Sequence, residues 1–138
     1  ERHDVIPLTC VSAGPKFSAY EKELYDAGKY LEYNMVHGFS VELAEALAEV
    51  AHKQIRLDLN IAENEGSSLR DVRMSRYQGA RYSFGYPACP DLEQSRLIFD
   101  LLKPEEFGIE LSETFQIHPE QSTTALVVHH RKATYYSV

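Results

Sequence analysis

Cysteine is scarce in this chain: Cys10 and Cys89 are the only two among 138 residues. Two cysteines do not make a disulfide framework, and no CxxC pair offers a zinc or redox site. That usage predicts a reduced, cytoplasmic setting. Long apolar runs are also missing. None approaches the ~20 residues that would cross a bilayer, so no membrane role is expected. Positive charge is in deficit, with 14 Lys+Arg against 21 Asp+Glu and a net charge of −7. An acidic surface without a basic cluster repels phosphate backbones and argues against nucleic acid as a partner. No GxGxxG follows a predicted strand, which argues against an ordinary Rossmann-type enzyme. No basic, apolar leader opens the chain, and its start at Glu1-Arg2-His3-Asp4 suggests a processed or cut sequence.

What is present suits one domain with its own core, at 43% hydrophobic and 25% charged residues. Residues 5 to 12 are short and apolar and predict a strand, with Pro7 marking an edge or a strand start. Residues 17 to 59 form a helical half, with breaks expected at Gly28 and Gly38. Ser40 is a plausible N-cap there. Leu43, Leu47 and Val50, then Ala51, Ile55 and Leu59, fall at spacings of three and four and predict a core-facing helix. Glu45, Glu49 and His52 project from another face, which pattern alone makes a solvated one.

The second half is more punctuated. Residues 60 to 70 read as a loop leading to a short helix near 69 to 77. Residues 79 to 90 hold two glycines, two prolines and three aromatic residues, a mixture expected to form neither a regular helix nor a central strand. Asp91 is placed to cap a helix that buries Leu97, Ile98 and Leu101 and ends at Pro104. Extended segments are expected at 109 to 117, 122 to 130 and 134 to 138, the last two joined as a hairpin through Arg131-Lys132-Ala133. The order of strand, helices and strands predicts an α+β fold, with helices packed on an antiparallel β-sheet.

Chemistry concentrates around Arg81. A guanidinium in an aromatic, Gly/Pro-rich loop offers a planar fork for a carboxylate or phosphate. Tyr82, Phe84 and Tyr86 could shelter a ring or a cation, and Gly85 would let backbone approach a ligand. The residues alone leave a second reading open: a packed structural loop whose arginine pairs with a nearby acid. Cys89 is read as a small packed residue rather than a reactive thiol. His129 and His130, adjacent on a strand, point to opposite faces and do not make a metal site.

The run Tyr77-Gln78-Gly79-Ala80-Arg81-Tyr82-Ser83-Phe84-Gly85-Tyr86-Pro87-Ala88-Cys89-Pro90-Asp91 closely resembles the signature of the cobalamin-dependent methionine synthase activation domain. Its pattern is Arg, three residues, Gly-Tyr, then Pro-Ala-Cys-Pro and an acid. The resemblance extends to Ala44-Glu45-Ala46-Leu47-Ala48-Glu49 with His52, to Leu111-Ser112-Glu113-Thr114-Phe115, to Pro119, Ser122 and His130, and to Tyr135-Tyr136. It implies that residues 1 to 138 are the C-terminal portion of that activation domain, with no second domain. The family's fuller domain is longer, and one ligand-contacting aspartate lies in its N-terminal portion. A further departure is Ser75, which stands where some relatives carry an acid beside the ligand.

The resemblance also implies a function. In the family S-adenosylmethionine lies in a groove of this domain and donates a methyl group during reductive reactivation of cob(II)alamin. The electron comes from a flavodoxin-type donor, and cobalamin is held by a separate cobalamin-binding domain. Carried over by motif position, Arg81 would engage the ligand's carboxylate, with Glu45, Gly85, Tyr86 and Tyr135 as further ligand-binding residues. Tyr86 is the candidate at the boundary between ligand and corrinoid. No metal ligands and no general acid or base are assigned. The expectation is a domain of a methyltransferase, inactive as an isolated chain. Two alternatives remain: a non-catalytic docking module for a corrinoid-binding domain, and a purely structural domain in which Arg81 pairs internally.

Overall fold

A computed structural model describes residues 4–63, 65–66 and 68–134. Strand β1 (Leu8–Ser12) leads to helix α1 (Pro15–Asp26) and the long helix α2 (Tyr30–Asp58). Helix α3 (Leu69–Arg73) and strand β2 (Ala80–Tyr82) follow, then helix α4 (Ser95–Leu102), entered through a short 3-10 turn at Leu92–Gln94. Strands β3 (Glu110–Leu111), β4 (Ile117–His118) and β5 (Ser122–Val128) complete the described fold.

The sheet order is β1-β5-β2, antiparallel throughout, while β3 and β4 form a separate two-stranded hairpin. The fold class is therefore the expected α+β with an antiparallel sheet. β5 is central because Thr123-Thr124-Ala125-Leu126-Val127-Val128 is the most β-prone stretch of the chain. Thr124 and Ala125 are both buried although adjacent, so both faces of β5 are covered. Pro7 precedes edge strand β1 and its carbonyl accepts the Val127 N–H at 2.8 Å. That position uses the one backbone group proline retains.

Several expectations are corrected. The chain does break at Gly28, but α2 runs through Gly38 without interruption. Ser40 is not a cap. It sits inside α2, fully buried, with its hydroxyl donating to Glu21 Oε1 at 2.7 Å. The buried stripe of α2 is Ser40, Ala44, Ala48, His52 and Arg56, each four residues from the last. Leu43 and Leu47 are only half-buried, and Val50 is exposed. Small residues let α2 lie close across β1 and β5, a geometry larger side chains at those positions would prevent. In α4 the buried face is Ser95, Ile98 and Phe99, while Leu97 and Leu101 are exposed.

The aromatic Gly/Pro-rich run is not wholly irregular. Ala80, Arg81 and Tyr82 pair with Val128, Val127 and Leu126 as an edge strand. Gly79 permits it: its φ is +93°, and a Cβ there would meet the Val128 carbonyl oxygen at 2.9 Å. The expected 109–117 strand is instead two short strands separated by a turn with Phe115 at φ +62°. The residues expected to return as the last strand lie mostly outside the described residues; Thr134, the last described, is not in a strand.

Candidate functional site

Three separate segments converge beside β2. Helix α2 brings Glu45, Glu49 and His52; the segment after α3 brings Ser75 and Tyr77; β2 and its following turn bring Arg81 and Tyr86. Together with the 131–134 turn these segments wall a cleft of about 660 Å³. Glu45, Ser75, Tyr77, Arg81 and Tyr86 all contribute to its lining. The volume is within the ordinary range for small-molecule sites, roughly 300–1,000 Å³. Tyr86 is 56% exposed, so it stands at the rim rather than the floor.

The turn that presents Tyr86 is tightly closed. The Gly85 N–H donates to the Cys89 carbonyl and the Cys89 N–H to the Tyr86 carbonyl, both at 2.8 Å. Gly85 has φ +87°, and a Cβ there would lie 2.9 Å from Leu92 Cδ1. Glycine at this position thus answers to the turn and to Leu92. Gly85 is not among the residues that line the cleft, while its neighbour Tyr86 is. Tyr135, the remaining site residue expected from the sequence, lies outside the described residues. Its neighbour Thr134 lines the cleft and accepts the Tyr82 hydroxyl at 2.7 Å through its carbonyl.

Behind Arg81 lies a charged cluster that pattern reading placed in solvent. Arg81 Nη1 donates to Glu49 Oε2 at 2.7 Å and sits 3.4 Å from His52 Nδ1. The Tyr77 hydroxyl donates to the same Glu49 oxygen at 3.0 Å. Arg56, 1% exposed, forms a two-point pair with Glu65, faces Glu49 Oε1 at 3.7 Å, and lies 3.8 Å over the Tyr77 ring. Two arginines and two carboxylates balance in charge, which makes their desolvation tolerable. His52 is fully buried between the two cations. Burial, then the charges of Arg56 and Arg81, push its pKa down to about 4 against the smaller opposing pull of Glu49. Burial also raises the Tyr77 hydroxyl.

Three buried atoms of this cluster have no hydrogen-bond partner: Glu49 Oε1, His52 Nε2 and Arg56 Nη1. Unpaired buried polar atoms are costly and uncommon in finished cores. Glu49, His52, Arg56 and Tyr77 are the site residues that sequence reasoning missed or left unassigned. A signal was available: His52 and Arg56 continue the four-residue spacing of Ser40, Ala44 and Ala48 onto the packed face.

A larger cleft, about 1030 Å³, lies between α1 and the β3–β4 hairpin. Its buried carboxylate, Glu21, is satisfied by Ser40, by Gln121 Nε2 at 2.7 Å and by His37 Nδ1 at 3.1 Å. That network is closed on itself, which favours the smaller cleft as the chemical site. Among the described residues no group of three or more His, Cys, Asp or Glu could hold a metal ion. Among the same residues no helix is long and apolar enough to cross a membrane.

Known proteins fit this arrangement. The family described as vitamin B12 dependent methionine synthase, activation domain, matches residues 1–138. Methionine synthase of Mycobacterium tuberculosis (strain ATCC 25618 / H37Rv) is 42% identical over 141 aligned positions, covering 98% of this chain and 12% of that protein. Methionine synthase of Mycobacterium leprae (strain TN) is 43% identical with the same coverage. The chain therefore spans about 12% of the length of these relatives. Among solved structures, the MetH reactivation domain bound to AdoHcy superposes with a TM-score of 0.89 at 30% identity, over 96% of this chain and 41% of that one. The family match covers the signature around Arg81, α2 and the sheet alike, and the chain belongs to the activation-domain family of vitamin B12 dependent methionine synthase.

Proposed function

We propose that this chain is the C-terminal portion of an activation domain that binds S-adenosylmethionine in the cleft between α2, β2 and the Gly85–Cys89 turn. There it serves the reductive methylation of cob(II)alamin in a cobalamin-dependent methionine synthase. The observation that carries this reading is the convergence of Glu45, Arg81 and Tyr86 on one cleft from distant parts of the chain. The amino-acid end of the ligand presents a carboxylate and an ammonium. Arg81 suits the first through its guanidinium fork, and Glu45 suits the second. The AdoHcy-bound state of the structural relative supports a ligand of this chemistry.

The protein's work here is positional. Arg81 and Glu45 anchor one end of the ligand, and Tyr86 at the rim shields its sulfonium end and orders it toward the opening. Cobalamin, bound by another part of such a protein, supplies the methyl acceptor, and a flavodoxin-type donor the electron.

One observation favours a structural reading instead: Arg81 already pairs with Glu49. Yet Arg81 lines the cleft, whereas Glu49, exposed to the same degree, does not. The pair therefore holds the guanidinium from behind. Titration calorimetry on the intact protein decides between the readings. Arg81→Ala is expected to weaken S-adenosylmethionine binding at least ~10-fold with the fold retained. Unchanged affinity would leave Arg81 a structural residue and remove the assignment.

A further inference from the structure

Arg81 is a long side chain on an edge strand, and an arginine so placed has many rotamers to lose on binding. The structure removes that freedom on one side. Glu49 Oε2 takes the Nη1 hydrogen at 2.7 Å, and the ring of buried His52 stands 3.4 Å from the same nitrogen. Glu49 is itself held. The Tyr77 hydroxyl donates to it at 3.0 Å, Arg56 faces its other oxygen at 3.7 Å, and Arg56 is fixed by Glu65 and by the Tyr77 ring. The chain Glu65–Arg56–Glu49–Arg81 thus runs from a buried anchor to the cleft wall. Of this network, Arg81 and Tyr77 line the cleft, and Glu49, Arg56 and Glu65 do not.

We propose that Glu49 is a positioning residue: it pins one edge of the Arg81 guanidinium so that the rest of the fork is presented, already ordered, to the carboxylate of the bound amino-acid ligand. The proposal rests on the reading of the cleft as an S-adenosylmethionine site. Glu49 touches no ligand and acts only through Arg81. Two opposing effects follow from its charge. It orders the guanidinium, and it repels an incoming carboxylate. Its place behind Arg81, away from the cleft wall, makes ordering the larger effect, since the repulsion acts across the guanidinium that neutralises it. His52 contributes by staying neutral, so that it accepts from Arg81 without adding a third positive charge.

The test compares two ligands on the intact protein: S-adenosylmethionine, and decarboxylated S-adenosylmethionine, which keeps the sulfonium, ammonium and adenosine but lacks the carboxylate. Glu49→Gln should weaken the first ~10-fold and the second less than ~2-fold, with Glu49→Ala larger in the same direction. Glu49→Gln preserves size and decides the matter alone if Glu49→Ala does not fold. Equal losses for both ligands would mean that Glu49 only supports the fold, and unchanged or tighter S-adenosylmethionine binding would mean that it does not position Arg81. Either result overturns the proposal. Arg81→Ala is measured alongside. If it fails to discriminate between the ligands, the reading of the cleft falls; if it discriminates and the Glu49 variants do not, the positioning role alone falls.

Discussion

Helix α2 carries two buried polar clusters, one near each end of its packed stripe, and they are built differently. Around Ser40, the carboxylate of Glu21 meets a hydroxyl, an amide and an imidazole, and Gln121 is held in turn by the Ser18 hydroxyl at 2.8 Å. None of its buried side-chain atoms is unpaired. Around His52 and Arg56, three buried atoms lack partners, and the cluster ends on an arginine that lines a cleft. The first ties α1, α2 and the start of β5 together. The second keeps unspent polar capacity beside the cleft proposed to bind the ligand. Satisfaction of buried hydrogen bonds, more than cavity size, distinguishes the two clusters, since the larger cleft borders the satisfied one.

That contrast can be broken most forcefully at Arg56. Arg56→Met should destabilise the domain by about 3–5 kcal/mol, because it strands Glu65 and part of Glu49 without their cation. Urea unfolding of the variant beside the parent measures this. A loss below 1 kcal/mol would show that the cluster is wet enough to do without its anchor.

Acid should also act on the second cluster. Unfolded, His52 takes its proton near pH 6.5; folded, it stays neutral to about pH 4. The unfolded chain therefore binds more protons in that window. The stability tied to neutral His52 is whole above pH 6.5, declines as pH falls toward 4, and changes no further below it. A displacement of this size corresponds to roughly 3 kcal/mol. Unfolding measured across the window in the parent and in His52→Gln should show this slope in the parent alone. Parallel curves would place the acid sensitivity elsewhere.

Glu21→Ala probes the satisfied cluster and should have the smallest effect. Gln121 loses a buried acceptor, at a cost of about 1–3 kcal/mol, while Ser40 keeps the His37 carbonyl at 2.8 Å. Affinity for S-adenosylmethionine should be untouched. A matching loss of affinity would join the two clusters into one functional unit and erase the distinction.

Local chemistry made much of this chain legible. The β-propensity of residues 123–128, the stop at Gly28, Pro7 at an edge and Asp91 accepting the Glu93 N–H at 3.1 Å all follow from rules that act within a few residues. The α+β class followed from the order of such segments, and the run from Tyr77 to Asp91 was distinctive enough to indicate the family. What only tertiary structure decided is which face of α2 is buried. Periodicity of hydrophobic residues pointed to Leu43, Leu47 and Val50, but close packing on β1 and β5 selected the small residues Ser40, Ala44 and Ala48. Selecting that face carried His52 and Arg56 into the interior, where a polar side chain survives only by finding charge partners. Those partners, Glu65 and Glu49, lie 9 residues on from Arg56 and about two turns back, and Arg81 joins Glu49 from 32 residues away. No window of sequence contains that cluster, because distance along the chain says nothing of which charges will share one desolvated space.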